Sequence, residues 1–102
     1  MKLNDLVRRI EHTGASDAEI GAITYDSRKA GPGSLFVCLV GAWMDGHTFA
    51  RSAYDRGCRA FLAEHPLDLP ADAAQILTDD TRASLAVIGA DFYGNPAREL
   101  HL

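Results

Sequence analysis

The hydrophobic positions near the start of the chain follow helical spacing. Apolar residues recur there at intervals of three and four, at Leu3, Leu6, Val7 and Ile10. This is the stripe of an amphipathic helix. Asn4 or Asp5 is expected to cap the start of the helix, and Gly14 suits a left-handed exit.

Further along, the apolar residues form short segments, which predict strands at 20–25, 35–40, 59–63 and 75–78. The second segment, LFVCLV, is apolar at every position, which is typical of a strand covered on both faces in a parallel sheet. Residues 48–56 then place their apolar side chains on one helical face, and Gly57 is expected to end that helix. Strand, helix and strand in this order predict a β-α-β unit.

A last helix is predicted over residues 81–92. Asp79 or Asp80 is expected to cap its start, and Gly94 and Pro96 are expected to end it. The predicted fold class is therefore α/β, with a small mainly parallel or mixed sheet flanked by helices.

The composition is that of one ordinary globular domain, which we expect to span residues 1–102. The formal net charge is −4 and the chain has only two lysines, Lys2 and Lys29, with no basic stripe. Nucleic acid is therefore not expected as a partner. The longest uncharged apolar stretch, 35–44, is too short to span a bilayer, so membrane insertion is not expected either.

The cysteines and histidines do not predict a metal site. Cys38 and Cys58 belong to no CxxC pair, which favours reduced core thiols in the cytoplasm, with a disulfide between them as the alternative. The four histidines are scattered without ligand spacing, at His12, His47, His65 and His101.

The loop 41–47 is the first candidate for a ligand site, because ligands in open α/β sheets lie outside the carboxyl ends of the strands. The helix that follows adds free N–H groups suited to anions. Trp43 has the chemistry to stack on a planar base. The alternative is that Trp43 packs against its own core.

Asp26, Ser27 and Arg28 follow another predicted strand and offer a hydroxyl and a guanidinium for phosphate or sugar groups. Each has a plainer interpretation: Asp26 as the acceptor of a turn hydrogen bond, Arg28 as half of an ion pair. Asp45 is likewise open to a role as a helix cap, and His47 to one as a surface or capping residue.

Several short motifs occur together in a specific order: TYDSRK at 24–29, PGSLFV at 32–37, Gly41 followed by DGH at 45–47, Ala53 and Gly57, DTR at 80–82, and FYGNP at 92–96. With these motifs the chain resembles the N-terminal domain of the Mur ligases, the ATP-dependent amide-forming enzymes of peptidoglycan synthesis. The FYGNP motif is most similar to the branch that adds the third residue of the stem peptide, a diamino acid. The branch that adds D-alanyl-D-alanine is the alternative.

The resemblance implies that this domain binds the UDP end of UDP-N-acetylmuramoyl-L-alanyl-D-glutamate. The positions that match substrate-binding residues are Tyr25, Ser27, Ala42, Trp43 and Met44. Arg28, Asp45 and His47 are second-rank candidates. No catalytic residue and no metal ligand is expected in this chain.

The chain departs from the family in one large respect: it has no G-x-x-x-x-G-K-[ST] phosphate-binding loop. The resemblance thus implies a fragment that binds substrate without catalysing ligation. The longer enzyme would be cytoplasmic, and ATP and Mg²⁺ would bind to its central and C-terminal domains. Those two domains would be this domain's partners. A stand-alone nucleotide-sugar binding module is a further alternative.

Overall fold

The computed structural model describes residues 2–14, 16–40 and 45–99, the last seven of them by backbone alone. Four strands form one sheet: β1 (Ala22–Thr24), β2 (Ser34–Val37), β3 (Ala60–Ala63) and β4 (Ala74–Leu77). Their spatial order is the chain order, and every neighbouring pair is parallel. The helices are α1 (Leu3–Leu6), α2 (Ala50–Asp55) and α3 (Thr81–Glu99), with 3₁₀ turns at Ser27–Lys29 and Gly46–Phe49. The predicted α/β class is confirmed. Among the described residues the four strands pair only in parallel, and Thr13 adds a single antiparallel bridge to Leu77 of β4.

The two central strands, β2 and β3, are buried at every position. The apolar run predicted this for β2, but the strand ends at Val37, short of the predicted residue 40, and Val40 is 47% exposed. Leu35 and Val37 lie in one core cluster with α1 and α3, whereas Phe36 and Cys38 lie in a second cluster with α2. Burying a side chain of this size stabilises the fold by about 1.5–3 kcal/mol. The sheet is therefore the middle layer of three.

Helix α2 connects β2 to β3, so the predicted β-α-β unit is confirmed. Gly57 ends the helix with φ +103°, a conformation that favours glycine. A Cβ at Gly57 would also lie 3.0 Å from the ring of Pro32. This glycine therefore fixes how closely α2 approaches the turn before β2.

The first helix differs from its prediction. It has a single turn and begins after Lys2, with no side-chain cap. Asn4 does not cap it; its amide instead accepts a hydrogen bond from the Ser16 N–H at 2.7 Å and donates to Asp17. Gly14 is left-handed, with φ +99°, but it lies well beyond the helix end, where a Cβ would collide with the carbonyl oxygen of Gln75.

The start of α3 was predicted correctly and its end was not. The carboxylate of Asp80 accepts a hydrogen bond from the Ala83 N–H at 3.0 Å, which is a helix cap. The helix continues through Gly94 and Pro96 to Glu99. Glycine and proline lower helix stability, by about 1 and 3 kcal/mol, but an established helix can contain them.

Both cysteines are free and buried, as expected for core thiols. Burial raises the pKa of Cys38 to about 12 and also raises the pKa of Cys58. Both thiols are therefore protonated and inert near neutral pH.

In the part of the chain that the structure describes, no helix combines the length and the apolar character needed to cross a membrane.

Candidate functional site

The carboxyl ends of the four parallel strands meet at one edge of the sheet, and a cavity of about 570 Å³ opens beside the first of them. Its lining comes from the turn after β1 and from the start of α2: Tyr25, Asp26, Ser27, Arg28, Phe49 and Ser52. Tyr25 and Phe49 are large aromatic residues that remain exposed, by 64% and 36%. Three of the predicted site residues, Tyr25, Ser27 and Arg28, thus come together in one concave surface. A cavity with apolar walls and a few polar groups is typical of small-molecule sites.

Asp26 organises the polar side of this cavity. Its carboxylate accepts hydrogen bonds from the Arg28 N–H at 2.9 Å and from the guanidinium at 3.1 and 3.0 Å. These side-chain and backbone bonds lower the pKa of Asp26 to about 2. The turn acceptor and the ion pair considered for these residues are therefore both present, and the pair holds the exposed guanidinium at the cavity rim.

Three of the predicted binding residues, Ala42, Trp43 and Met44, lie outside the described residues, as does Gly41. The residues on either side of this segment are closely joined. Val40 and Asp45 form an antiparallel bridge, and the Gly46 N–H donates to the Leu39 carbonyl at 2.6 Å. The turn Gly46–Phe49, which carries Phe49 to the cavity, therefore starts directly against the exit of β2.

Asp45 and His47 form a local unit in this turn. The Asp45 carboxylate accepts from the His47 backbone N–H at 2.9 Å and from its ring Nδ1 at 2.5 Å. The backbone bond, followed by the ring bond, lowers the pKa of Asp45. Asp45 is thus a cap, as one interpretation had it. His47 is buried rather than on the surface.

The second ring nitrogen of His47 accepts a hydrogen bond from the Glu64 backbone N–H at 2.9 Å, just past the end of β3. Because Nε2 accepts, Nδ1 carries the proton and donates it to Asp45. Glu64 in turn accepts from the Thr81 N–H at 2.9 Å, at the start of α3. The Thr81 hydroxyl lies 2.8 Å from the carbonyl of Cys38. We refer to Asp45, His47, Glu64 and Thr81 as the edge clasp.

Glu64 and Thr81 were not among the predicted site residues. Thr81 belongs to the DTR motif, but that motif carried no predicted role. The adjacent Arg82 also reaches this region, since its Nη2 donates to the Val40 carbonyl at 3.2 Å.

The expectation that the histidines are scattered is wrong for two of them. The rings of His47 and His65 stack with centroids 4.0 Å apart, and with Asp45 they offer three potential ligand atoms within 4.8 Å. The two histidines are 18 residues apart in the sequence, and the pairing of β2 with β3 brings them together. Both ring nitrogens of His47 are already hydrogen-bonded, so the group does not suit a metal ion without losing those bonds.

Comparison with known proteins matches residues 19–93 to the family described as "Mur ligase family, catalytic domain". The chain belongs to the Mur ligase family. It is 41% identical to the UDP-N-acetylmuramoyl-L-alanyl-D-glutamate–2,6-diaminopimelate ligase of Syntrophomonas wolfei, covering 100% of this chain and 22% of that ligase. The chain therefore spans about a fifth of the length of such relatives.

Solved structures of Mur ligases have the same fold. A MurF structure from Acinetobacter baumannii matches with a TM-score of 0.75 and 31% identity, covering 94% of this chain and 21% of that one. MurF from Thermotoga maritima in complex with ADP matches with a TM-score of 0.61 and 27% identity, covering 72% of this chain and 17% of that one. The predicted family and fold are thus confirmed.

The sequence of this Mur ligase chain has no G-x-x-x-x-G-K-[ST] phosphate loop, and neither Lys2 nor Lys29 follows such a glycine pattern. A second cavity, of about 330 Å³, lies at the ends of β3 and β4, but Glu11, Glu64 and Asp79 line it. Carboxylates repel a triphosphate.

Proposed function

We propose that this chain is the substrate-anchoring domain of a ligase that adds 2,6-diaminopimelate to UDP-N-acetylmuramoyl-L-alanyl-D-glutamate. In this proposal it binds the UDP end. The observation that carries the proposal is the cavity at the carboxyl edge of the sheet, lined by Tyr25, Ser27 and Phe49. Relatives 37–43% identical to this chain are named as ligases for that substrate and amino acid.

Each lining residue has a role that follows from its chemistry. Tyr25 and Phe49 offer exposed rings that can cover a base or a ribose, because stacking on aromatic side chains tolerates any planar face. The Ser27 hydroxyl can donate to or accept from a ribose hydroxyl or a phosphate oxygen. Arg28, oriented by Asp26, supplies positive charge for the diphosphate.

Ala42, Trp43 and Met44 complete the proposed site. The family resemblance supports this assignment: the segment after Gly41 matches the one that surrounds the uracil and ribose. Trp43 would cover one face of the base. Asp45 and His47 would act indirectly, by holding the turn that carries Phe49.

In the full-length ligase, anchoring the UDP tail would place the distant D-glutamate carboxylate for reaction. Binding energy from a remote part of the substrate is then used for orientation. ATP and Mg²⁺ would bind to the central and C-terminal domains, so no step of the ligation is assigned to residues of this chain. We propose a cytoplasmic enzyme of cell-wall synthesis, and the two free, buried thiols are compatible with a reducing compartment.

A second candidate is the ligase that adds D-alanyl-D-alanine, because the matched MurF structures share this fold. Both candidates use the same UDP end. The substrate of the full-length enzyme distinguishes the two candidates. That enzyme would consume the UDP-muramoyl dipeptide in the first case and the UDP-muramoyl tripeptide in the second.

The proposal is tested by a ¹⁵N-NMR titration of the chain with UDP, using ADP as the matched nucleotide. We expect saturable shifts at the amides of Tyr25, Ser27 and Phe49 with UDP. The shifts with ADP should be much smaller, because the segment after Gly41 is proposed to surround uracil. Tyr25→Ala should weaken UDP binding about tenfold, since stacking contributes about 1–3 kcal/mol. Tyr54→Ala is the control, because the Tyr54 hydroxyl donates to Asp72 and its side chain does not line the cavity. Millimolar UDP without shifts in the wild-type chain would refute the anchoring role.

A further inference from the structure

We propose that Glu64 and Thr81 are positioning residues for the nucleotide site, acting through His47. Neither of them lines the cavity. They hold the turn Gly46–Phe49, and with it Phe49, against the ends of β2 and β3 and the start of α3. This inference rests on the proposed function, because it concerns the same UDP site.

The first link joins the turn to β3. His47 is buried, and both of its ring nitrogens are used: Nδ1 donates to Asp45 within the turn, and Nε2 accepts from the Glu64 N–H. A buried ring held at both nitrogens has a fixed orientation. Phe49 follows two residues later in the same turn and lines the cavity. The position of Phe49 is thereby set relative to the end of β3.

The second link joins β3 to α3. The Thr81 N–H is one of the backbone donors that a helix start leaves without an intrahelical partner. A carboxylate is a favourable acceptor there, because the helix dipole is positive at that end. Glu64 supplies that carboxylate from the end of a different element, at 2.9 Å. Glu64 thus connects the His47 contact to α3.

The third link returns to β2. The Thr81 hydroxyl lies 2.8 Å from the Cys38 carbonyl and 3.1 Å from Glu64 Oε2. A hydroxyl has one hydrogen, and we assign it to the Cys38 carbonyl at the shorter distance. Thr81 is 0% exposed, so an unmet donor there would be costly. The Gly46 N–H bonds to Leu39, the next residue along from Cys38, which closes the ring of contacts at the turn.

The test compares Glu64→Ala with Asp80→Ala in the same chain. Both variants remove one capping bond at the start of α3, but only Glu64 also lies at the end of β3, where its N–H meets His47. Kd for UDP is measured by NMR titration at a temperature where each variant is fully folded. We expect Glu64→Ala to raise Kd at least about fivefold, a typical size for coupling between separate groups. Asp80→Ala should leave Kd unchanged, and Glu64→Gln, which keeps an acceptor oxygen, should restore most of the affinity.

A second readout needs no ligand. The Gly46 amide reports on the turn through its bond to Leu39, and the Ala74 amide, bonded to Arg59, serves as a distant reference. Hydrogen exchange at Gly46 should accelerate in Glu64→Ala and not in Asp80→Ala, with Ala74 unchanged in both.

The outcomes separate this proposal from the one on which it rests. If the wild-type chain binds no UDP, the proposed function fails, and Gly46 exchange alone then decides whether the edge clasp holds the turn. If the wild-type chain binds UDP but Glu64→Ala and Asp80→Ala have equal Kd values, the positioning role is refuted. Unchanged Gly46 exchange in Glu64→Ala refutes it as well.

Discussion

Asp26 accepts three hydrogen bonds from a single neighbour, Arg28, although the side chain of Arg28 is 82% exposed. An exposed ion pair adds little to stability. Its value at this site is geometric, because the two parallel guanidinium bonds fix the plane of Arg28 beside the cavity. At the scale of one residue, the carboxylate orients the charge that the diphosphate of UDP would meet.

The ionisation of Asp26 provides a direct check of this arrangement. The pKa of its carboxyl is about 2 in the folded chain, against an ordinary value of 3.8. Because the folded value is the lower one, the stabilisation is present above pH 3.8 and is lost as the pH falls from there towards 2. A ¹³C-NMR titration of the Asp26 carboxyl should give a midpoint near 2 in the folded chain. The midpoint should return towards 3.8 in Arg28→Ala; equal midpoints in the two proteins would contradict the ion pair.

At the scale of elements, the closest approach at the site is between the turn Gly46–Phe49 and the residues that follow β2. A Cβ at Gly46 would lie 2.7 Å from the backbone nitrogen of Leu39 and 2.9 Å from its oxygen. Backbone atoms cannot swing aside as a flexible side chain can. The glycine of the DGH motif is therefore needed for contact between two elements, rather than for a left-handed turn.

Substitution of Gly46 should show this in stability. We expect Gly46→Ala to lower the free energy of unfolding by about 1–3 kcal/mol, the usual cost of overpacking. Gly89→Ala is the matched control, since it lies in α3 with nothing within 4 Å of the added Cβ. That change should raise the free energy of unfolding by about 0.5–1 kcal/mol, because alanine favours a helix. Urea denaturation measures both, and a stabilising Gly46→Ala would contradict the close approach.

Elements whose signal is local were predicted well. The run at 35–40 predicted β2, because burial on both faces leaves an unbroken apolar run. The apolar face at 48–56 predicted α2, because burial on one face leaves a periodic pattern. The end of α3 was missed, since Gly94 and Pro96 lower helix stability without forbidding a helix. The edge clasp was also missed. His47 meets Glu64, and Glu64 meets Thr81, across 17 residues each, and only the pairing of strands brings them together.

At the scale of the whole molecule, the parallel sheet collects every strand end on one edge, so the site draws on distant parts of the chain. Family motifs predicted Tyr25, Ser27 and Arg28 as site residues, and the cavity brings these three together. Phe49 and Ser52 were not predicted to line it. Both lie on the helical segment after the DGH motif, and their direction depends on how that segment packs.

The whole chain should distinguish two nucleotides by thermal stability. UDP at about 100 times its Kd would add about 2.7 kcal/mol to the free energy of unfolding, which raises Tm by roughly 10 °C in a domain of this size. ATP with Mg²⁺ should raise Tm much less, because the chain has no glycine-rich phosphate loop and the segment after Gly41 is proposed to surround uracil. Differential scanning calorimetry compares the two. At the same UDP concentration, Tyr25→Ala should keep only about half of the UDP shift, because its Kd is expected to be about tenfold higher. An equal shift with ATP would contradict uridine selectivity.

The bridge between Val40 and Asp45 has a practical consequence for engineering. Its two ends are held by backbone bonds, by the approach of Gly46 to Leu39 and by Arg82, none of which uses the side chains of residues 41–44. Because none of these bonds uses their side chains, we expect the surrounding backbone to keep its bonds when those four positions are substituted. If the proposed function holds, a library randomised there and selected on nucleotide sugars with bases other than uracil would yield domains that bind other nucleotides.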